Sequence, residues 1–271
     1  MPANLLEMVA ATRRHLAEVR EGDDIRTLER LAQAHHPRGF RRRLQEKSRE
    51  GIAVIAELKK ASPSQGVIRA NFAPDELACE LESAGAEALS VLTNQEFFAG
   101  SLENLRKASA GTSLPCLRKD FIVDEFQVLE ARANCADAVL LIVAALSQPE
   151  LLKLARRAAE WDLDVLCEVH DEEELRRAID AGCAIIGVNN RDLRTLRVDL
   201  ETAFRLSSRL PKNCLRVAES GISRAGEISR LQAMGYDAFL VGESLMRTAS
   251  PGETLRAVLS EARAQTTSSR L

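Results

Sequence analysis

Eight short apolar segments, each ending in polar or charged residues, recur along this chain with helix-patterned stretches between them, and that alternation leaves few folds open. The segments are 52–58, 88–93, 115–120, 138–143, 165–169, 185–189, 215–219 and 238–241. Runs this short and this rich in Val, Ile and Leu suit strands covered on both faces. Between them, residues 75–84, 125–133, 149–160, 172–181 and 225–234 carry helical spacing. Gly85, Asn134, Gly182 and Gly235 stand where a helix end favours Gly or Asn. Strand and helix alternating eight times predicts an α/β chain whose parallel sheet closes into a (β/α)8 TIM barrel. An open doubly wound sheet fits less well: no G-x-G-x-x-G follows the first strand, and such a sheet seldom needs eight units.

The length of 271 residues allows one barrel, of ~250 residues, with an extension. We divide the chain into an N-terminal helical extension (1–50), the barrel (51–264) and a polar tail (265–271). In the extension, Leu5, Met8, Val9, Thr12, Leu16 and Val19 mark one helical face, and Ile25, Leu28 and Leu31 suggest more helix. The extension could cover the barrel's own loops or join another subunit, so a monomer or weak homodimer is expected. Arg38-Gly-Phe-Arg-Arg-Arg-Leu44 is the basic cluster, read as a solvated helix face with Phe40 and Leu44 turned inward. A net charge of −3 gives no global field for nucleic acid or an anionic membrane. The longest apolar run, 138–146, is far short of the ~20 residues of a membrane span. With no apolar signal segment at the N-terminus, a cytoplasmic protein is expected. The six cysteines (79, 116, 135, 167, 183 and 214) form no C-x-x-C pair and read as reduced thiols. His35 and His36, beside Pro37, read as solvated. The four histidines form no metal-ligand pair, and neither metal nor cofactor is expected.

In a barrel of this kind, reacting groups sit at the carboxyl ends of the strands. Alternate residues of a strand share a face, so Glu57 and Lys59 project together from the end of the first. The later ends add Lys119, Glu168, Asn189, Arg191, Glu219 and Ser220. Any one of these could belong to a purely structural ion-pair network. Two lysines and three carboxylates converging on one mouth instead set pKa values apart and supply acid and base partners. Arg118 and Asp120 flank Lys119 on the opposite face and are expected to pair behind the barrel wall. His170 could edge the site but is read as non-catalytic. Phe98 and Phe121, on polar loops beside glycines, suit the walls of a slot for a flat ring. Ser220-Gly221 and Gly242-Glu243 follow strands seven and eight, where barrels often hold a phosphate by backbone N–H groups. Residues 60–69, with Gly66, form a candidate lid.

The blocks Ile55-Ala-Glu-Leu-Lys-Lys-Ala-Ser-Pro-Ser-Gln-Gly66, Ser90-Val-Leu-Thr93, Phe98-Ala-Gly-Ser101 and Leu117-Arg-Lys-Asp-Phe121 resemble the indole-3-glycerol-phosphate synthase family. So do residues 138–146, Cys167-Glu-Val-His170, Val188-Asn-Asn-Arg-Asp-Leu193, Ala218-Glu-Ser-Gly-Ile222 and Val241-Gly-Glu-Ser-Leu-Met246. The likeness covers 45–250 in order. It implies ring closure of 1-(2-carboxyphenylamino)-1-deoxyribulose 5-phosphate, with loss of CO2 and water, in tryptophan biosynthesis. It also implies a carboxy-lyase that needs no cofactor. Under this resemblance Lys119 is the general acid and Lys59 binds the substrate carboxylate and can donate a second proton. Glu57, Glu168, Asn189, Glu219 and Ser220 complete the catalytic set. Ser62, Gly221, Gly242 and Glu243 would hold phosphate, the last through its backbone with its side chain turned away. Phe98, Phe121 and Leu140 would hold the aryl ring, and Arg191 the carboxylate or a hydroxyl. The rival readings are a Schiff-base aldolase with Lys119 as nucleophile, a sugar-phosphate isomerase barrel, and a barrel that binds phosphate without turnover.

Overall fold

The computed structural model describes residues 4–19 and 24–268, with the side chains of Val19 and of residues 266–268 outside that description. Its centre is a closed barrel of eight parallel strands: Ala53–Leu58, Ala88–Leu92, Cys116–Lys119, Ala138–Ile142, Asp164–Val169, Ile185–Asn189, Leu215–Glu219 and Ala238–Val241. Each pairs with the next, and the eighth returns to the first with Ala53 opposite Ala238. Every expected strand is present to within one residue at either end. The expected helices are Pro74–Ser83, Glu125–Ala133, Gln148–Glu160, Glu172–Asp180 and Ala225–Ala233. Leu102–Ala110, Glu201–Ser207 and Pro251–Ser268 fill the remaining places in the outer ring. Residues 265–268, assigned above to a polar tail, are therefore helical, and 269–271 lie outside the described residues. Asn134 stands just past its helix as expected, at φ −104°, and the left-handed residue that follows it is Cys135 at φ 67°.

Strand alternation sorts the core into two shells. Ile55, Leu117, Leu140, Leu166, Val217 and Leu240 face the lumen, while Val54, Ala56, Leu58, Val139 and Ile186 face the helices. The extension spans the barrel from top to bottom. Helix α1 (Leu5–Val19) puts Leu5 and Met8 into the lumen cluster beside Phe121 and Ile142. Its Arg13 bonds Glu150, at the start of the helix after strand four, at 2.9 Å. Helix α2 (Ile25–Ala34) lies along the outer helix Glu125–Ala133, where the Arg132 guanidinium donates to the Ala32 carbonyl at 2.9 Å. Helix α3 (Phe40–Glu50) closes the amino end, burying Phe40 and Leu44 in the lumen cluster as the sequence predicts. The extension thus packs on its own barrel.

Two expectations about polar residues need correction. His35 is not solvated: its Nε2 lies 3.3 Å from Asp137, a fully buried carboxylate. That carboxylate also accepts from the Arg38 backbone at 2.7 Å, from its guanidinium at 2.6 Å and from the Cys116 backbone at 2.6 Å. Arg38 is correspondingly tied down, whereas the rest of the basic cluster behaves as a helix face. Cys167 and Cys183 are not reduced thiols but are joined as a disulfide: strand six pairs with strand five, and the turn leading into it brings the Cα of Cys183 to 6.4 Å from that of Cys167. Cys79, Cys116, Cys135 and Cys214 are free. Arg118 does pair behind the wall, with Asp120 at 3.2 Å and Glu130 at 2.8 Å. Among the described residues no helix is long and apolar enough to cross a membrane.

Candidate active site

At the carboxyl end of the lumen, inward positions that are Ile or Leu lower down become charged. On the first strand Ile55 is followed by Glu57, then Lys59 just beyond, and the Lys59 ammonium donates to Glu57 at 2.8 Å. Lys119, at the end of strand three, donates to Glu168 of strand five at 2.8 Å and lies 3.5 Å from Glu219 of strand seven. Glu57, Glu168 and Glu219 are all buried. Five charged groups from four strands therefore meet in one place, as the inventory of strand ends requires.

Their protonation states are set apart. Burial alone would neutralise Lys119, but Glu168, Glu219 and Glu57 outweigh it and hold the ammonium well above the ordinary lysine range. Burial would likewise raise Glu168, yet Lys119 and His170 pull it far below the carboxylate range. Glu57 is also lowered: burial opposes ionisation, and Lys59 and Lys119 overcome it. Glu219 goes the other way. Burial pushes it up to about 8, with Lys119 resisting and Glu168 and Glu57 adding to the rise. Neither of its carboxyl oxygens has a hydrogen-bond partner. One proton donor, two fixed carboxylates and one carboxyl poised near neutrality thus share one buried pocket.

A cavity of about 350 Å³ opens above this cluster, bounded by Glu57, Lys59, Lys119, Arg191, Glu219, Ser220, Gly221, Gly242 and Glu243. Ser220 and Gly221 are both left-handed, at φ 62° and 76°, which turns the backbone sharply beneath the cavity floor. Glu243 does not point its charge freely into the cavity: its carboxylate is met by Arg191 at 3.5 Å and Arg247 at 3.0 Å. Asn189 uses its side-chain oxygen on the Arg191 backbone N–H, at 2.9 Å, so it shapes the rim. Ser62 is buried with its hydroxyl unpartnered. The Phe121 ring sits 6.3 Å from Phe98 and 6.4 Å from Phe97, and shares the lumen cluster with Leu140. Thr93, counted among the strand ends, serves the wall instead, donating to Asp120 at 2.6 Å.

Several contributions were not picked out from the sequence, among them a second role for Gly242, expected there only to hold phosphate. Asn190 braces the turn from behind: its amide donates to the carbonyls of Glu219 and Ser220 at 3.0 and 3.1 Å. A Cβ at Gly187 would stand 2.0 Å from a Glu219 oxygen, and one at Gly242 would stand 2.7 Å from Glu57. These two glycines make room for the carboxylates. Phe97 and the α1 side chains Leu5 and Met8 extend the apolar wall. The candidate lid is anchored: Ala61–Ser62 pairs with Gly66–Val67, and Gln65 accepts from Arg247 at 2.8 Å. No cluster of three or more His, Cys, Asp or Glu that could hold a metal occurs among the described residues.

A family model described as indole-3-glycerol phosphate synthase matches residues 5–258. The chain belongs to the indole-3-glycerol phosphate synthase family. A protein of that name from Koribacter versatilis (strain Ellin345) is 55% identical over 259 residues, covering 96% of this chain and 100% of that protein. Another from Acinetobacter baumannii (strain AYE) is 48% identical over 240 residues, 88% of each chain. Among solved structures, 3-hexulose-6-phosphate synthase from Salmonella typhimurium superposes with a TM-score of 0.64 at 13% identity, over 79% of this chain and all of that one. Thiamine phosphate pyrophosphorylase from Pyrococcus furiosus gives a TM-score of 0.59 at 17% identity, over 80% and 96%. At such identities these two likenesses show the barrel alone. The synthase family match covers both the α1 cap and the charged mouth, so the helical extension is part of what the family shares.

Proposed function

We propose that this protein is a carboxy-lyase that closes the five-membered ring of indole-3-glycerol phosphate from 1-(2-carboxyphenylamino)-1-deoxyribulose 5-phosphate in tryptophan biosynthesis. The observation that carries the reading is Lys119, held cationic among Glu168, Glu219 and Glu57 at the floor of the cavity. Ring closure joins the aryl carbon bearing the carboxylate to the ketone carbon, and the ketone oxygen must take a proton as that bond forms. Lys119 supplies it. The carboxylate then leaves as CO2, and its bonding electrons restore the aromatic ring. The new hydroxyl leaves as water after Lys59 protonates it. As water departs, the methylene carbon beside the nitrogen gives up a proton and the C=C bond of the indole forms. Glu168 takes the anilino nitrogen's proton while the hydroxyl leaves and returns it to the indole nitrogen, and Glu219 and Asn189 carry the hydroxyl network.

Binding follows the same geometry. Lys59 and Arg191 supply cations for the substrate carboxylate. Ser220, Gly221, Gly242 and the Glu243 backbone border the place for the phosphate, with the Glu243 charge taken up by two arginines; Ser62, outside the cavity lining, would reach it only through its unpartnered hydroxyl. Phe98, Phe121 and Leu140 offer the apolar side for the aryl ring. The chemistry asks for no metal or cofactor. We place the enzyme in the cytoplasm and, since its extension packs on its own barrel, propose a monomer.

The Schiff-base aldolase reading needs Lys119 as a neutral nucleophile, with its pKa depressed. The carboxylates around it act in the opposite direction. The test is indole fluorescence on adding the substrate to the wild type and to Lys119→Ala. Turnover that falls by roughly three orders of magnitude or more in the variant supports the reading. A folded wild type that gives no indole product overturns it, and borohydride trapping of a substrate adduct would then bring the aldolase forward.

A further inference from the structure

Glu168 and Glu219 flank one ammonium, yet they differ in every other contact. Glu168 takes the Lys119 hydrogen bond on Oε2, and its Oε1 lies 3.3 Å from Nε2 of His170. Glu219 has Lys119 at 3.5 Å and no hydrogen bond on either oxygen. The asymmetry leads back to His170, which stands two residues beyond Glu168 as strand five passes into the helix Glu172–Asp180. Its Nδ1 is 2.8 Å from Oε2 of Glu174, and the same oxygen accepts the His170 backbone N–H at 2.8 Å.

Both ring nitrogens therefore have a carboxylate oxygen within ion-pair distance, although only Nδ1 is hydrogen-bonded and Nε2 has no hydrogen-bond partner. A neutral imidazole carries one N–H and one lone pair, so one of the two carboxylates would meet a lone pair. The imidazolium is attracted to both carboxylates, whereas a neutral ring serves Glu174 alone. His170 and Glu174 have side chains only 13% and 14% exposed, so this charge is neither screened nor free to swing away. Burial works against the imidazolium, but Glu168 and Glu174 reverse that and raise His170 to about 10. Charge matching points the same way. Lys59, Lys119 and His170 balance Glu57, Glu168 and Glu174, which leaves Glu219 without a counter-charge of its own and favours its protonated form.

We propose that His170, held by Glu174, is a positioning residue for the ring-closing reaction: its imidazolium fixes Glu168 as the ionised partner of Lys119 and thereby assigns the site's mobile proton to Glu219. The inference rests on the synthase reading, because it concerns the base and proton carrier of that reaction. His170 touches no substrate in this scheme and acts through Glu168. The charged groups bearing on the pair are Lys119 from strand three, Glu219 from strand seven and Glu57 from strand one, with Arg194, in the loop after strand six, acting on Glu174.

The test uses this chain and two charge-removing changes, His170→Gln and the isosteric Glu174→Gln, with folding checked by circular dichroism. Without the imidazolium, Glu168 competes with Glu219 for the proton. The acidic limb of kcat/KM should then move to higher pH by roughly one unit in His170→Gln and by less in Glu174→Gln, with KM changed less than about twofold. Combining the two changes should shift the limb no further than His170→Gln alone. An activity-independent readout is the imidazole nitrogen spectrum of the four histidines, with His170 assigned by its loss in His170→Gln. His170 should remain doubly protonated at about pH 8 in the wild type and titrate closer to neutrality in Glu174→Gln. A neutral His170 at about pH 8, or a folded His170→Gln enzyme that loses the same factor at every pH, overturns the proposal. A wild type without turnover would instead remove the synthase reading, and the nitrogen spectrum would still decide whether His170 is charged.

Discussion

Gly187 and Gly242 show how much of this site depends on atoms that are missing. Each lies on an inward position where neighbouring strands carry side chains, and each leaves its space to a carboxylate of the adjoining strand. Gly187→Ala should leave the barrel folded but displace the Glu219 carboxyl, lowering kcat on the order of a hundredfold with a small change in KM. Gly242→Ala should push Glu57 away from Lys59 with a similar loss. Steady-state kinetics beside a melting curve would check both. The charged residues themselves were legible from the sequence, because a period of two places Glu57 and Lys59 on one face and charge at the end of an apolar strand is conspicuous. The role of Gly187 was not, since it depends on which residue of strand seven lies across from it. His170 was read as non-catalytic for a related reason: its meaning comes from Glu174, one helical turn onward, and from a carboxylate beside it.

At the scale of elements, α1 and α3 close opposite ends of the barrel, and their removal should have opposite consequences. Phe40 and Leu44 fill the amino end, so Leu44→Ala should cost about 2–5 kcal/mol of stability, measured by urea unfolding, with little effect on KM. The buried Asp137 ties the segment before α3 to the starts of strands three and five. Asp137→Ala strands the Arg38 charge and should cost about 3–5 kcal/mol. His35 adds a pH dependence. Burial lowers its pKa, but Asp137 raises it further, to about 9 against 6.5 unfolded. Its contribution is therefore complete below pH 6.5 and fades as pH rises through 9. The stability difference between wild type and His35→Gln should shrink over that window; a constant difference would show that His35 does not titrate with folding. His35 looked solvated, as the exposed His36 beside it is, because its partner Asp137 is about a hundred residues away in the chain. By contrast, Phe40 and Leu44 announced themselves by their four-residue spacing in a basic run.

For the whole molecule, the order of elements along the chain was readable almost to the residue, because eight apolar runs admit so few closed arrangements. The placement of the extension was not, since an amphipathic helix says that it covers something without saying what. The structure puts α1 on the barrel's own mouth, with Leu5 and Met8 against the aromatic wall. Removing residues 1–23 should therefore raise KM and lower kcat while the barrel still melts cooperatively. Equal losses of activity and of folded protein would show instead that α1 is part of the frame.

Closure of the barrel also has a consequence in time. Strand one holds Glu57 and leads into Lys59, yet one of its two neighbours, Ala238–Val241, is synthesised only after the other seven strands. A chain emerging from the ribosome carries Lys119, Glu168 and Glu219 long before it possesses the strand that completes their enclosure. Until then the lumen is an open trough, Phe40 and Leu44 have nothing to seal, and water reaches the carboxylates. Pairing across nearly the full length of the chain is slow to nucleate. Activity should therefore arrive abruptly, once strand eight has been made, and fragments ending before Ala238 should be prey for proteases and chaperones rather than weak enzymes.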